Sequence, residues 1–118
     1  MTLPSSLKEI GDNAFSNSKI TTIIIPEGVT KIGSYCFYNC SELTNITLPS
    51  TLNEIGDGAF SNTKITTIII PEGITKIGNN CFYGCDRLKQ VKYPCYLKES
   101  PIVESIPTNS CNAFWNYN

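Results

Sequence analysis

Histidine is missing from all 118 residues. Its absence removes the commonest general base, the partner of Ser–His and Cys–His nucleophiles, and the commonest metal ligand. Charge is sparse as well. Only 16% of residues are charged and the net charge is −1, which gives no electrostatic reason to expect nucleic acid or an anionic membrane as partner. The longest aliphatic runs are the triplets Ile23–Ile25 and Ile68–Ile70, far short of a bilayer span, so no membrane insertion is expected. The eight glycines come singly and form no phosphate-cradling loop. The first residues, MTLPSSLKEIG, lack a basic n-region followed by an apolar h-region and do not read as a secretory signal. Leu3, Pro4 and Leu7 already stand in repeat positions, so the natural protein is expected to extend further.

What remains is a folded, soluble composition, 41% hydrophobic, at a length that holds one domain. Its organising feature is a duplication. Lys19–Cys40, KITTIIIPEGVTKIGSYCFYNC, returns at Lys64–Cys85 as KITTIIIPEGITKIGNNCFYGC. Residues 3–47 laid on 48–92 agree at 31 of 45 positions without a gap. The unit divides again, because prolines stand at 4, 26, 49, 71 and 94, Ile-Gly pairs begin at 10, 32, 55 and 77, and phenylalanines follow at 15, 37, 60 and 82. Periods of 20 to 29 residues belong to leucine-rich solenoids, in which each coil buries its apolar face against the next.

One coil, 43–65, shows the expected local structure. Leu43, Ile46 and Leu48 form a short strand that Pro49 ends, since proline cannot donate to the ladder. Leu52 and Ile55 turn inward, Gly56 takes a bend that a Cβ would hinder, and Ala59-Phe60 lies on a tight or 3₁₀ return turn. Proline and glycine in every coil, with β-branched runs such as TTIII, argue against a helix. The return turns alternate. FSNSKI and FSNTKI are one residue shorter than FYNCSEL and FYGCDRL, which carry a second cysteine. The expected architecture is a β-dominated stack of about five coils over residues 1–97. A fifth coil begins with Val91, Pro94 and Leu97, then loses register at Ser100-Pro101. Residues 98–118 read as an irregular cap, with Phe114, Trp115 and Tyr117 covering the last apolar layer, or as a tail.

The cysteines are the one chemistry that invites attention. Cys36-x-x-x-Cys40 and Cys81-x-x-x-Cys85 resemble halves of a four-thiolate zinc site. Stacked strands advance about 4.8 Å per coil, so the pairs lie roughly 10 Å apart, too far for Zn–S bonds of about 2.3 Å. A Cys36–Cys81 disulfide fails on the same distance. All four are expected as buried free thiols, with Cys36 and Cys81 replacing Ala14 and Ala59. Cys95 and Cys111 lie outside the pattern, and a bridge between them depends on export. Acidic residues recur at single coil positions, Glu9 with Glu54 and Glu27 with Glu72, as a solvated ladder would. Asn39 and Asn45 begin N-glycosylation tripeptides of a kind that arises by chance in a chain rich in Thr and Asn. No catalytic, metal or cofactor set can be assembled, so the chain does not read as an enzyme.

The pattern L-x-x-I-x-I-P-x-x-V-x-x-I-G-x-x-[AC]-F-x-x-C, carried by Pro26, Val29, Ile32-Gly33, Cys36-Phe37 and Cys40 and again from Pro71 to Cys85, resembles the BspA-like leucine-rich repeat family. The resemblance covers residues 1–97. It implies a repeat solenoid of the surface-associated kind found in bacteria and protists, with an adhesive role toward host matrix or cell-surface proteins. The odd coils depart from it by lacking the second cysteine. Without an export signal at the N-terminus, the sequence leaves both a surface and a cytoplasmic location open.

Alternation along the strands places Ile23 and Ile25, Ile46 and Leu48, Ile68 and Ile70, and Val91 and Tyr93 inward. It leaves Thr22, Ile24, Asn45, Thr47, Thr67, Ile69, Gln90 and Lys92 outward, as a candidate ladder for a protein partner. The plainer reading of Ile24 and Ile69 is that β-propensity fills a strand position. A second possibility is structural: the first coil presents an open apolar layer and strand edge that a second copy would cover, making a homodimer.

Overall fold

Two short strands and one run of turns make each coil. The structure, a computed structural model, describes residues 2–93. The cap or tail at 98–118, Cys95, Cys111 and the aromatic trio Phe114, Trp115 and Tyr117 lie outside the described residues. The strands are β1 (Glu9–Ile10), β2 (Thr22–Ile24), β3 (Lys31–Ile32), β4 (Asn45–Thr47), β5 (Glu54–Ile55), β6 (Thr67–Ile69), β7 (Lys76–Ile77) and β8 (Gln90–Lys92). All pairings are parallel, and no helix occurs among the described residues. The result is a leucine-rich-repeat solenoid, of which about four turns are described.

The even-numbered strands form one face and the odd-numbered strands another. β1, β3, β5 and β7 make a continuous four-stranded sheet in chain order. Repeat spacing pointed to the first face only; at the second it suggested no more than an inward turn before a glycine bend. Each of these strands is two residues long with one buried isoleucine, Ile10, Ile32, Ile55 or Ile77. That is too short for periodicity to reveal. The outward partner in each alternates in sign, Glu9, Lys31, Glu54, Lys76, in register across the sheet. Lys31 Nζ lies 3.6 Å from Glu54, and opposite charges on paired strands favour this stacking order modestly.

The core fills the space between the two faces and the return turns. Ile23, Ile25, Ile68, Ile70 and Val91 enter from one face, while Val29, Leu52 and Ile74 enter from the bend between the faces. Phe15, Phe37, Phe60 and Phe82 stack through the return side, with successive ring centroids 5.3, 5.7 and 5.8 Å apart and nearly parallel planes. Burial of rings this size dominates the energetics of a small core.

The return turns are not 3₁₀ helices. Bonds of the i→i+3 kind do occur, such as Ser18 N–H to Phe15 O and Cys40 N–H to Phe37 O. Two left-handed residues interrupt them in every coil, at Asn13 and Asn17, Tyr35 and Asn39, Gly58 and Asn62, and Asn80 and Gly84. Asparagine and glycine are the residues that tolerate this region, so seven of the eight were written in the sequence. Tyr35, at φ 56°, is the exception. This conformation turns alternate amides along the stack. Asn13, Phe15 and Asn17 donate to Ser34 O, Cys36 O and Tyr38 O at 2.8–2.9 Å, giving a third inter-coil ladder where no strand exists.

In the Ile-Gly pairs that have a described coil against them, Gly33, Gly56 and Gly78 serve close approach rather than a special dihedral. At Gly56 a Cβ would sit 2.5 Å from Ser34 N and 2.7 Å from Gly33 C, while its φ is not left-handed. The coils touch backbone to backbone there.

Candidate interaction face

The candidate residues all lie on the outer side of β2, β4, β6 and β8. Thr22, Asn45, Thr67 and Gln90 form one row, and Ile24, Thr47, Ile69 and Lys92 the next. Parallel pairing in register puts like positions of successive coils side by side. Ile24 is 67% and Ile69 51% exposed, while Ile23 and Ile68 on the same strands are buried. Thr47 and Asn45 are exposed, and Thr67, Gln90 and Lys92 half-buried. Just before the strands, Thr21, Thr44, Thr66 and Lys89 add an exposed row. Apart from its last coil, the face carries hydroxyl, amide and isoleucine side chains but no charge.

The face has a seam. β2 pairs with β4 and β6 with β8, but β4 and β6 are not ladder partners. In each pair the later strand, β4 or β8, is the one entered from the longer return turn. There the carbonyls of Thr21 and Thr66 each accept two amides from the next coil, Thr44 and Asn45, then Lys89 and Gln90. Across the seam, Lys64 N–H still donates to Leu43 O at 2.9 Å, so the coils remain joined.

Acids mark one rim. Glu27 accepts from the Ser50 hydroxyl at 2.6 Å and from Ser50 N–H at 3.0 Å. These bonds, the hydroxyl first, hold its carboxyl below the usual range. Glu27 therefore stays ionised as a bracket between coils. Asp12 and Asp57 serve likewise on the other face, each accepting from the coil above at 2.8 Å, from Ser34 N–H and Asn79 N–H.

The cysteines belong to the core. Cys36, Cys40, Cys81 and Cys85 are free and buried. Desolvation pushes the Cys36 thiol up to about 12 and Cys81 higher still, and raises Cys40 and Cys85. A thiol held protonated is neither nucleophile nor metal ligand. Cys40 and Cys85 do more than fill volume. Their S–H groups donate to Phe15 O at 3.0 Å and Phe60 O at 2.9 Å in the preceding coil. In the intervening coil the same slot holds Thr63, whose hydroxyl donates to Phe60 O. At this position Cys40, Thr63 and Cys85 each donate to a phenylalanine carbonyl, while Ser18 in the first coil accepts from Ile20 N–H at 3.3 Å.

Two exposed aromatics escaped the repeat reading. Tyr83 is 69% and Tyr35 43% exposed, both on return turns away from the strand face. For Tyr83 the signal was present, since even coils put tyrosine at 38 and 83 where odd coils have serine. Of the glycosylation tripeptides, Asn45 is exposed on the strand face, while the Asn39 side-chain amide donates to Asn17 Oδ1 at 2.7 Å.

A family model described as the BspA type leucine rich repeat region matches residues 1–89. Among solved structures, the chain is similar to the pneumococcal vaccine antigen PcpA, with 28% identity and a TM-score of 0.72 over 76% of this chain and 23% of that one. A leucine rich cell surface protein from Faecalibacterium prausnitzii shares 31% identity at a TM-score of 0.67, over 77% of this chain and 30% of that one. A leucine-rich repeat protein from Bacteroides capillosus shares 30% identity at a TM-score of 0.67, covering 74% and 63% of the two chains. The chain thus spans less than a third of the first two. No curated protein matches it.

Proposed function

The chain belongs to the BspA-type leucine-rich repeat family, and from that premise we propose that it is a non-enzymatic protein-binding module working through the outer face of β2, β4, β6 and β8. The observation that carries this reading is the exposure of Ile24 and Ile69 among uncharged Thr and Asn side chains. Apolar side chains ringed by hydrogen-bonding groups suit protein contact, because the apolar pair gains from desolvation and the rim satisfies the partner's backbone. The pneumococcal and Faecalibacterium relatives, an antigen and a cell surface protein, support a surface setting and a host matrix or cell-surface protein as partner. The test is surface plasmon resonance against purified matrix and cell-surface proteins. For any that binds, the double variant Ile24→Lys/Ile69→Lys should weaken the affinity at least about tenfold, as loss of two exposed apolar contacts implies. Tyr83→Lys, equally exposed but off the face, should leave it unchanged. Equal loss in both variants overturns the reading.

A second reading is self-association through the first coil. Ala14 is exposed and Phe15 and Ile20 half-buried, whereas their counterparts Ala59, Phe60 and Ile65 are fully buried. A second copy, or a further coil of the repeat, would cover this layer. Light scattering separates this reading from a monomeric binding module: a mass that rises to twice the chain's with concentration, and falls back in Phe15→Ser, supports it.

A further inference from the structure

The two halves of the duplication diverge most on one strip of the proposed face. Six of their 14 differences fall within seven positions, 41–47 against 86–92. The one position kept in that window is the buried leucine, Leu43 or Leu88. Every outward residue differs. Ser41, Glu42, Thr44, Asn45 and Thr47 around β4 become Asp86, Arg87, Lys89, Gln90 and Lys92 around β8. Asp86 is engaged by Lys64 from the coil below at 3.2 Å, which leaves Arg87 and Lys89 as exposed cations paired with no carboxylate among the described residues. The face therefore runs from an apolar, uncharged end at Ile24 to a cationic end at β8.

Resting on the protein-binding reading above, we propose that this face takes an acidic polypeptide segment with interspersed apolar side chains, its carboxylates lying over Arg87 and Lys89. Charge complementarity selects acidic groups for the β8 end. The exposed isoleucines select a polypeptide over a sulfated glycan, which has no apolar side chains to cover them. Ile24 and Ile69 lie two strands apart, roughly 10 Å, and a polyproline-II chain, rising about 3.1 Å per residue with three residues per turn, covers that in about three residues while returning every third side chain to the same side. Apolar residues at every third position, with acids between, fit both features.

The test uses synthetic peptides of repeating Val-Glu-Glu, Val-Lys-Lys and Val-Ser-Ser triplets and heparin, titrated against the whole chain by fluorescence anisotropy at low and high salt. The Val-Glu-Glu peptide should bind roughly tenfold more tightly than Val-Lys-Lys, the effect of a few exposed ion pairs. That preference should vanish in Arg87→Glu/Lys89→Thr and shrink with salt. This variant places residues that the same chain already carries at Glu42 and Thr44 in the matching slots, so its circular dichroism and melting should equal wild type. If Val-Glu-Glu and Val-Lys-Lys bind equally and Ile24→Lys/Ile69→Lys abolishes both, the acidic preference is overturned while the binding face stands. If heparin binds and no peptide does, the ligand is a polyanionic glycan and the proposal fails. If nothing binds, or binding ignores the isoleucine pair, both this inference and the face reading fail.

Discussion

Adding one methyl group at two equivalent glycines should move stability in opposite directions. Gly11 and Gly56 occupy the same slot of the repeat, and neither has a left-handed φ. A Cβ at Gly11 meets nothing within 4 Å. Gly11→Ala should therefore stabilise by about 0.4–1 kcal/mol, because alanine narrows the unfolded ensemble. At Gly56 the same atom would sit 2.5 Å from Ser34 N, where ordinary contact begins near 3.4 Å. The coils would have to part by about 0.9 Å, and overpacking of this kind typically costs about 1–3 kcal/mol. The separation also strains Gly56 N–H to Ile32 O and Tyr35 N–H to Asp57 O, now 2.8 and 2.7 Å. Netting the backbone gain against the clash leaves Gly56→Ala destabilised by about 1–2 kcal/mol, some 2 kcal/mol below Gly11→Ala. Guanidinium titrations followed by far-UV circular dichroism resolve that gap as a shift in midpoint at constant slope. Equal effects of the two substitutions would refute backbone contact as the reason for these glycines.

Two further outcomes follow from the core and the turns. Tyr35→Asn should change stability by less than about 1 kcal/mol, since relief of the left-handed strain offsets lost ring packing, whereas Tyr38→Asn loses the edge-to-face contact at 5.7 Å with no such relief and should be the more damaging in the same titration. Because burial raises the Cys36 thiol from 9.0 to about 12, the folded chain holds a proton that the unfolded chain releases between those values. That contribution is complete below pH 9 and is lost as pH climbs toward 12. Denaturant midpoints at pH 7.5 and 9.5 should fall for the wild type and fall less for Cys36→Ala/Cys81→Ala, which copies the alanine of the odd coils.

Spacing made the solenoid legible because repetition amplifies weak signals. One strand of three residues is invisible alone, but Ile23, Ile46, Ile68 and Val91 at a fixed interval define a buried row. The second sheet stayed hidden because each of its strands offers a single buried isoleucine, and glycine directly after it reads as a bend. The left-handed turns were written in Asn13, Asn17, Asn39, Gly58, Asn62, Asn80 and Gly84, yet asparagine and glycine are so common in loops that only the structure separates a required conformation from a tolerated one. Tyr35 gives no signal by its type, and only the slot it shares with Asn13, Gly58 and Asn80 points to its positive φ. On the face, alternation identified Ile24 and Ile69 as outward, and the structure agrees. The cationic strip at Arg87 and Lys89 was visible only as mismatches within an otherwise faithful duplication. Ala14, paired with Ala59 by the repeat, is exposed because no described coil lies against it.

A benzophenone side chain at Thr47, between Ile24 and Ile69, tests the binding face most directly. With a bound partner present, irradiation should cross-link the partner at Thr47 in high yield, and the same side chain at Tyr83 should give little. Efficient cross-linking at Tyr83 with none at Thr47 would contradict the account and move the site to the return turns.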